Sequence, residues 1–222
     1  MFTPKTFEFF AQLLENNNKP WFDEHKSIYQ EQVLQPLKDL ALALSPAMYQ
    51  IDSQFDLRPQ KMISRIYRDI RFSHDKTPYK QHMWISFQRP MDKKGEDWES
   101  FPGFYLEVGA EGVGYGMGLF MPKKKVMDRY RDQVEYDPDS FRKMTQDLLG
   151  KHGFELGGEA YKRPLKSDLP DYFQAWIQRK GIYLHKNIPV QDLFFSPDFV
   201  PYLEQELRLL APLYDFFVDI CE

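Results

Sequence analysis

The sequence predicts an α+β fold, a mostly antiparallel sheet flanked by N-terminal and C-terminal helices. Apolar residues recur at helical spacing at both ends of the chain, and alternating segments that read as strands occupy the middle. Those segments look joined by short turns, not by the crossover helices that a parallel sheet needs. The 222 residues show no internal repeat, low-complexity tract or linker-like stretch, so residues 1–222 read as a single globular domain. Aromatic residues reach 16%, with 19 Phe and 13 Tyr, which predicts a core resting on rings more than on small aliphatics.

In chain order, Thr3 with Pro4 behind it opens a first helix, because the missing proline N–H costs nothing at the first helical position. Phe7, Phe10, Ala11 and Leu14 give it an apolar face, and Asn16-Asn17-Asn18 stops it. Lys19-Pro20 starts a second helix carrying Phe22, Tyr29, Val33, Leu37, Leu40 and Leu44, in which Pro36 predicts a kink or a break. Trp21-Phe22, at the first helix junction, reads as core or a hydrophobic staple. Met83–Arg89 and Gly103–Gly109 read as strands, with Pro90–Pro102 between them as an exposed polar loop.

Gly112-Val-Gly-Tyr-Gly-Met-Gly-Leu follows as a strand with one bare face, predicting close approach of a helix or a ring. Its glycine spacing is not a dinucleotide fingerprint. Helices are expected from Pro122 to about Arg131, from Asp137-Pro138 to Gly150, and over Ser167–Arg179. Ile182–His185 is a short strand. A last helix starts after Ser196-Pro197-Asp198 and carries Phe199, Leu203, Leu207, Leu210, Leu213, Phe217 and Ile220.

The formal charge of −4 argues against wholesale binding to nucleic acid or a membrane surface. Between Arg58 and Lys80, however, seven basic residues face only Asp69 and Asp75, a local charge of +5. Cys221 is the only cysteine, which excludes an intrachain disulfide and a cysteine-based zinc site. The first residues lack the basic and apolar regions of a signal peptide, and no stretch approaches the ~18–20 apolar residues of a membrane helix, so the expected location is the cytoplasm.

Two polar stretches stand out. One is Asn17-Asn18-Lys19-Pro20-Trp21-Phe22-Asp23-Glu24-His25-Lys26. The other is Arg65-Ile-Tyr-Arg-Asp-Ile-Arg-Phe-Ser-His-Asp-Lys-Thr-Pro-Tyr-Lys80. Together they resemble the domain of unknown function 2461 family of bacteria and fungi, over nearly the whole chain. The resemblance brings no activity, substrate or cofactor with it. Lys162-Arg163-Pro164 matches the family's downstream Arg-Pro element, but the residues that follow lack the Gly-aromatic step of that family.

The 65–80 segment is expected to run extended through about Tyr67 and then as an irregular loop that returns near Lys80; Thr77 is held extended by Pro78. Guanidinium forks suit phosphate or carboxylate. The candidate ligand-binding residues are therefore Arg65, Arg68, Asp69, Arg71, Asp75, Lys76, Tyr79 and Lys80, taking a small anionic ligand. Catalysis is left open, with Asp69 or Asp75 as the nearest acid–base group.

Three rivals stand beside that reading. The aspartates pair with Arg68, Arg71 or Lys76 and merely lock a loop; or the basic face docks an acidic protein; or Tyr67, Phe72 and Tyr79 stack on single-stranded nucleic acid. The acidic remainder of the chain weighs against the last. No hydrolase elbow and no phosphate-loop motif is present. His25, His74, His82, His152 and His185 lack chelating spacing, so no metal and no cofactor is expected. The oligomeric state is not legible.

Overall fold

The N-terminal helices begin and bend where proline and asparagine direct them. The computed structural model describes residues 1–71, 74–90 and 101–222. Helix α1 spans Pro4–Glu15, with Thr3 extended before it and donating its N–H to Thr6 Oγ1 at 3.2 Å. Its buried face is Phe7, Phe9, Phe10 and Leu13. Ala11 and Leu14, expected inward, are exposed, because the face is centred on Phe9, whose ring meets those of Phe22 and Tyr29.

Asn18 caps α2 (Lys19–Ile28) by accepting the Trp21 N–H at 3.1 Å. A π-helical turn over Tyr29–Leu34 then leads into α3 (Gln35–Ile51). This turn is the form the predicted break takes. Gln35 N–H reaches back five residues to Gln30 O, widening the helix just before Pro36, which has no N–H to give. A short turn of helix, α4, covers Pro59–Met62.

The strands are β1 (His82–Phe87), β2 (Gly103–Gly109), β3 (Gly112–Leu119), β4 (Glu155–Gly157) and β5 (Ile182–Pro189). They form a five-stranded antiparallel sheet of order β1-β2-β3-β5-β4. In the outer pair Leu156 stands opposite Leu184. The predicted α+β class holds. Helices α5 (Lys124–Tyr136), α6 (Pro138–Gly150) and α7 (Asp171–Ile177) lie in sequence between the neighbouring strands β3 and β5, where three helices were expected. The predicted loop Pro90–Pro102 lies, over 91–100, outside the described residues.

Three of the expected helices also differ in their boundaries. Helix α5 starts at Lys124 and continues past Arg131 to Tyr136, where Asp137 turns the chain and caps α6 by accepting the Ser140 N–H. Helix α7 starts at Asp171 instead of Ser167, since Pro170 holds Leu169 out of helical geometry. The long C-terminal helix is two, α8 (Phe199–Leu209) and α9 (Ala211–Cys221). Pro212 causes the break: its ring would strike the carbonyl of Arg208 in a continuous helix.

Contacts group the chain into two compact units. The first comprises Met1–Phe87, Tyr105–Tyr115 and Asn187–Gln205; the second comprises Gln88–Phe104, Gly116–Lys186 and Glu206–Glu222. Rings build the core of each. In the first, Phe2, Phe7, Phe194 and Phe199 form one cluster and Phe9, Phe22, Tyr29 and Tyr79 another. In the second, Tyr130, Phe141, Trp176, Phe216 and Phe217 pack together, mostly edge to face.

The bare glycine face of β3 is met by a strand, not by a helix or ring. A Cβ at Gly118 would sit 2.2 Å from Ile182 O and 2.4 Å from Tyr183 Cα, both main-chain atoms of β5. Gly118→Ala is therefore expected to destabilise by about 1–3 kcal/mol. The check is urea denaturation beside Gly150→Ala, whose added methyl meets nothing within 4 Å. Equal midpoints would contradict the close approach.

Candidate functional site

In the first unit the two polar stretches singled out in the sequence come together. The 65–80 segment is a narrow stem: Lys80 N–H donates to Ile66 O at 2.8 Å, Arg68 N–H to Pro78 O at 2.9 Å, and Tyr67 stands opposite Tyr79. This is the extended-then-returning path the sequence suggests. Asn17 grips the returning strand with its carboxamide. Its Nδ2 donates to Tyr79 O at 2.9 Å, and its Oδ1 accepts the Tyr79 N–H at 3.0 Å. One side chain thus satisfies both main-chain groups of a buried residue, as a neighbouring strand would.

Side chains reinforce the junction. The Tyr79 ring stacks on Phe22 at 4.1 Å, and Tyr67 lies over both. Burial pushes the Tyr29 phenol up to about 12, helped by Tyr67 nearby, and burial likewise raises Tyr79. These tyrosines are neutral phenols at physiological pH. Trp21, half-buried, stacks on His25 at 4.1 Å, and His25 Nδ1 lies 2.8 Å from Trp21 O.

The charged residues of the segment divide into two groups. The first closes on itself. Arg71 forks onto Asp69 with bonds of 2.9 and 2.6 Å, which holds the Asp69 carboxyl at about 2. That pairing is present above the ordinary carboxylate pKa and is lost as pH falls through about 2. Lys76 Nζ donates to Ile70 O at 2.8 Å. Asp75 accepts from the Thr77 N–H and hydroxyl, bonds that lower its pKa, and pairs with Arg68 Nη1.

The second group is Arg65, Arg68 and Lys80. Arg65 is exposed, and among the described residues it has no hydrogen-bonded or ion-paired partner. Arg68 gives Nη1 to Asp75, but its buried Nε finds no acceptor among those residues. Lys80 Nζ lies 4.1 Å from the centre of the Trp84 ring. Its pKa is lowered first by burial and then by the charges of Arg65 and Arg68. Three cations therefore share one field, with Asp75 on Arg68 and Asp69 near Arg65 as local counter-charge.

Of the eight sequence-predicted residues, the structure brings Arg65, Arg68 and Lys80 together. It seats Asp69, Arg71, Asp75 and Lys76 in local contacts and puts Tyr79 in the ring cluster; Phe72 lies outside the described residues. Sequence reasoning missed Trp84 and the Asn17 clamp. The presence of Asn17 in the first stretch was the only signal for the clamp, and nothing in the spacing paired it with Tyr79. Among the described residues no three His, Cys, Asp or Glu side chains gather as a metal site, and no helix is long and apolar enough to cross a membrane.

An α+β chain with an antiparallel sheet and a cationic stem beside β1 is thus defined. It belongs to the family described as conserved hypothetical protein (DUF2461), whose model matches residues 5–216. No curated protein matches the sequence significantly.

Proposed function

We propose that the first unit binds a small phosphate- or carboxylate-bearing ligand on Arg65, Arg68 and Lys80. One observation carries the reading. Lys80 is partly buried beside Arg65 and Arg68 and has no carboxylate partner among the described residues, so burial first, and then those like charges, hold its ammonium below the usual lysine range. A cluster in which three cations outnumber the two nearby carboxylates raises the energy of the unliganded protein, and an arriving anion relieves it. The buried Nε of Arg68, which finds no acceptor among the described residues, adds a donor to the cluster. Asp69 and Asp75 are occupied by Arg71 and Thr77, which favours binding over acid–base chemistry at either carboxylate. The setting on this reading is the cytoplasm, where such anions are abundant and a lone thiol stays reduced.

A structural lock is the second reading, and the Arg71–Asp69 fork and the Lys76–Ile70 contact favour it for their half of the segment. Thermal shift with inorganic phosphate and citrate separates the two. At about 100 times its dissociation constant an anion adds about 2.7 kcal/mol of stability. Lys80→Met is expected to abolish that gain and Lys76→Met to leave it intact. No stabilisation of the wild type by either anion sinks the binding reading.

A further inference from the structure

Next to the cation cluster, still within the first unit, lies a cleft of about 440 Å³, a size that suits a small-molecule site of ~300–1,000 Å³. Its floor is main chain, supplied by Gly109, Gly112 and Gly114 at the β2–β3 turn. Its polar lining comes from Gln81, His82, Glu107 and Asn187, with Leu14 and Pro189 as apolar edges.

These groups are arranged, not scattered. His82 Nε2 stands 3.8 Å from Glu107 Oε2, and both side chains are nearly half exposed. The Asn187 carboxamide lies over Gly114, close enough that a Cβ there would come within 2.6 Å of Oδ1. Gly112 has a positive φ of 145°, and a Cβ on it would strike Ile188 O at 2.0 Å, so glycine is required where the turn packs against the main chain of β5.

The cleft is tied to the cations through one indole. Trp84 holds Lys80 Nζ at 4.1 Å over its ring and packs against the His82 ring at 5.7 Å. The electrostatics run in opposite senses along this path. Lys80, Arg65 and Arg68 make one end positive, whereas Glu107 and Glu111 make the cleft negative. A ligand that spans both is anionic at one end only.

We infer that the cleft receives the hydroxyl-bearing body of a sugar monophosphate whose phosphate sits on Arg65, Arg68 and Lys80; this rests on the anion reading above and names its ligand class. The chemistry of the lining selects that body. A carboxylate, two carboxamides and an imidazole offer acceptors and donors at close spacing, which vicinal hydroxyls fill in pairs. Leu14 and Pro189 at the edges of the cleft supply apolar surface for the C–H face of the ring. Glu107 and Glu111 reject a second phosphate by like-charge repulsion.

The test is calorimetric titration of the full chain with inorganic phosphate, ribose 5-phosphate, glucose 6-phosphate and fructose 1,6-bisphosphate. At least one monophosphate is expected to bind tenfold or more tighter than inorganic phosphate, and the bisphosphate more weakly than that monophosphate. Asn187→Ala and Glu107→Gln, both at solvent-reached positions, are expected to erase the tenfold preference without changing affinity for inorganic phosphate. Circular dichroism of each variant checks that it folds.

If no monophosphate exceeds inorganic phosphate, or if the cleft variants leave the preference intact, the cleft takes no sugar and the anion site stands alone. If nothing binds and Lys80→Met changes nothing, the anion reading fails, and this inference with it.

Discussion

Phe22→Ala is expected to remove about 3–5 kcal/mol of stability, the range for deleting a fully buried phenylalanine. The side chain is 1% exposed and sits at the centre of a ring cluster. Phe9, Tyr29, Tyr67 and Tyr79 surround it, with Tyr79 stacked at 4.1 Å. Truncation leaves a cavity that those rings cannot fill, because Tyr79 is fixed through its main chain by Asn17. The stacked pair is worth a further ~0.5–1.5 kcal/mol beyond buried area.

The same substitution reaches the proposed site. Tyr79 precedes Lys80, and Phe22 fixes the strand from which Lys80 reaches Trp84. Phe22→Ala is therefore expected to loosen anion binding as well as to lower the urea midpoint. Phe22→Leu, which refills most of the volume, should recover much of both. A loss below about 1 kcal/mol would show that the junction is not held by this ring.

What the sequence made legible follows from which interactions are local. Pro4, Asn18, Asp137 and Pro138 act on their own turn of chain, so the starts of α1, α2 and α6 could be read directly. The alternation in β1 and β2 reflects one buried face, so those strands were also visible. Pro212 is equally local, but the expectation of one helix rested on the unbroken apolar row from Phe199 to Ile220 alone. The break at Leu210 shows that the missing N–H decides even where the apolar face continues.

The site was half legible for the same reason. Charge density pointed to residues 65–80, and the Arg71–Asp69 and Arg68–Asp75 pairs lie within that short stretch. Trp84 and Asn17 contribute only through the fold, and neither residue type announces its partner. The cleft depends on Asn187 of β5 meeting Glu107 and Gly112 of the β2–β3 hairpin, far from it in sequence. Pairing between such strands has no local signature, since many registers satisfy the same alternation.

Arg131→Met is the second large effect expected, about 2–4 kcal/mol, at a position that no sequence motif marks. Arg131 sits in the middle of α5 in the second unit, its side chain only 11% exposed. Its Nε donates to Ile177 O at 2.9 Å and its Nη2 to Arg179 O at 2.8 Å, while Nη1 meets Asp128 at 3.1 Å. The guanidinium also lies over the Tyr161 ring at 5.3 Å. Ile177 ends α7, and the last carbonyls of a helix have no partner within it. Arg131 supplies that partner from another helix and places its charge at the negative end of α7.

Methionine retains much of the aliphatic bulk but no donor, so two carbonyls are left unmet, at roughly 1–3 kcal/mol each where water does not replace the bond. Arg131→Lys separates charge from geometry. One ammonium keeps the charge but cannot reproduce the fork that spans Ile177 and Arg179, so it should recover only part of the loss. Hydrogen exchange should show α7 opening earlier in both variants. If Arg131→Lys matches the wild type, charge alone holds α7, and the fork geometry carries none of the stability assigned to it.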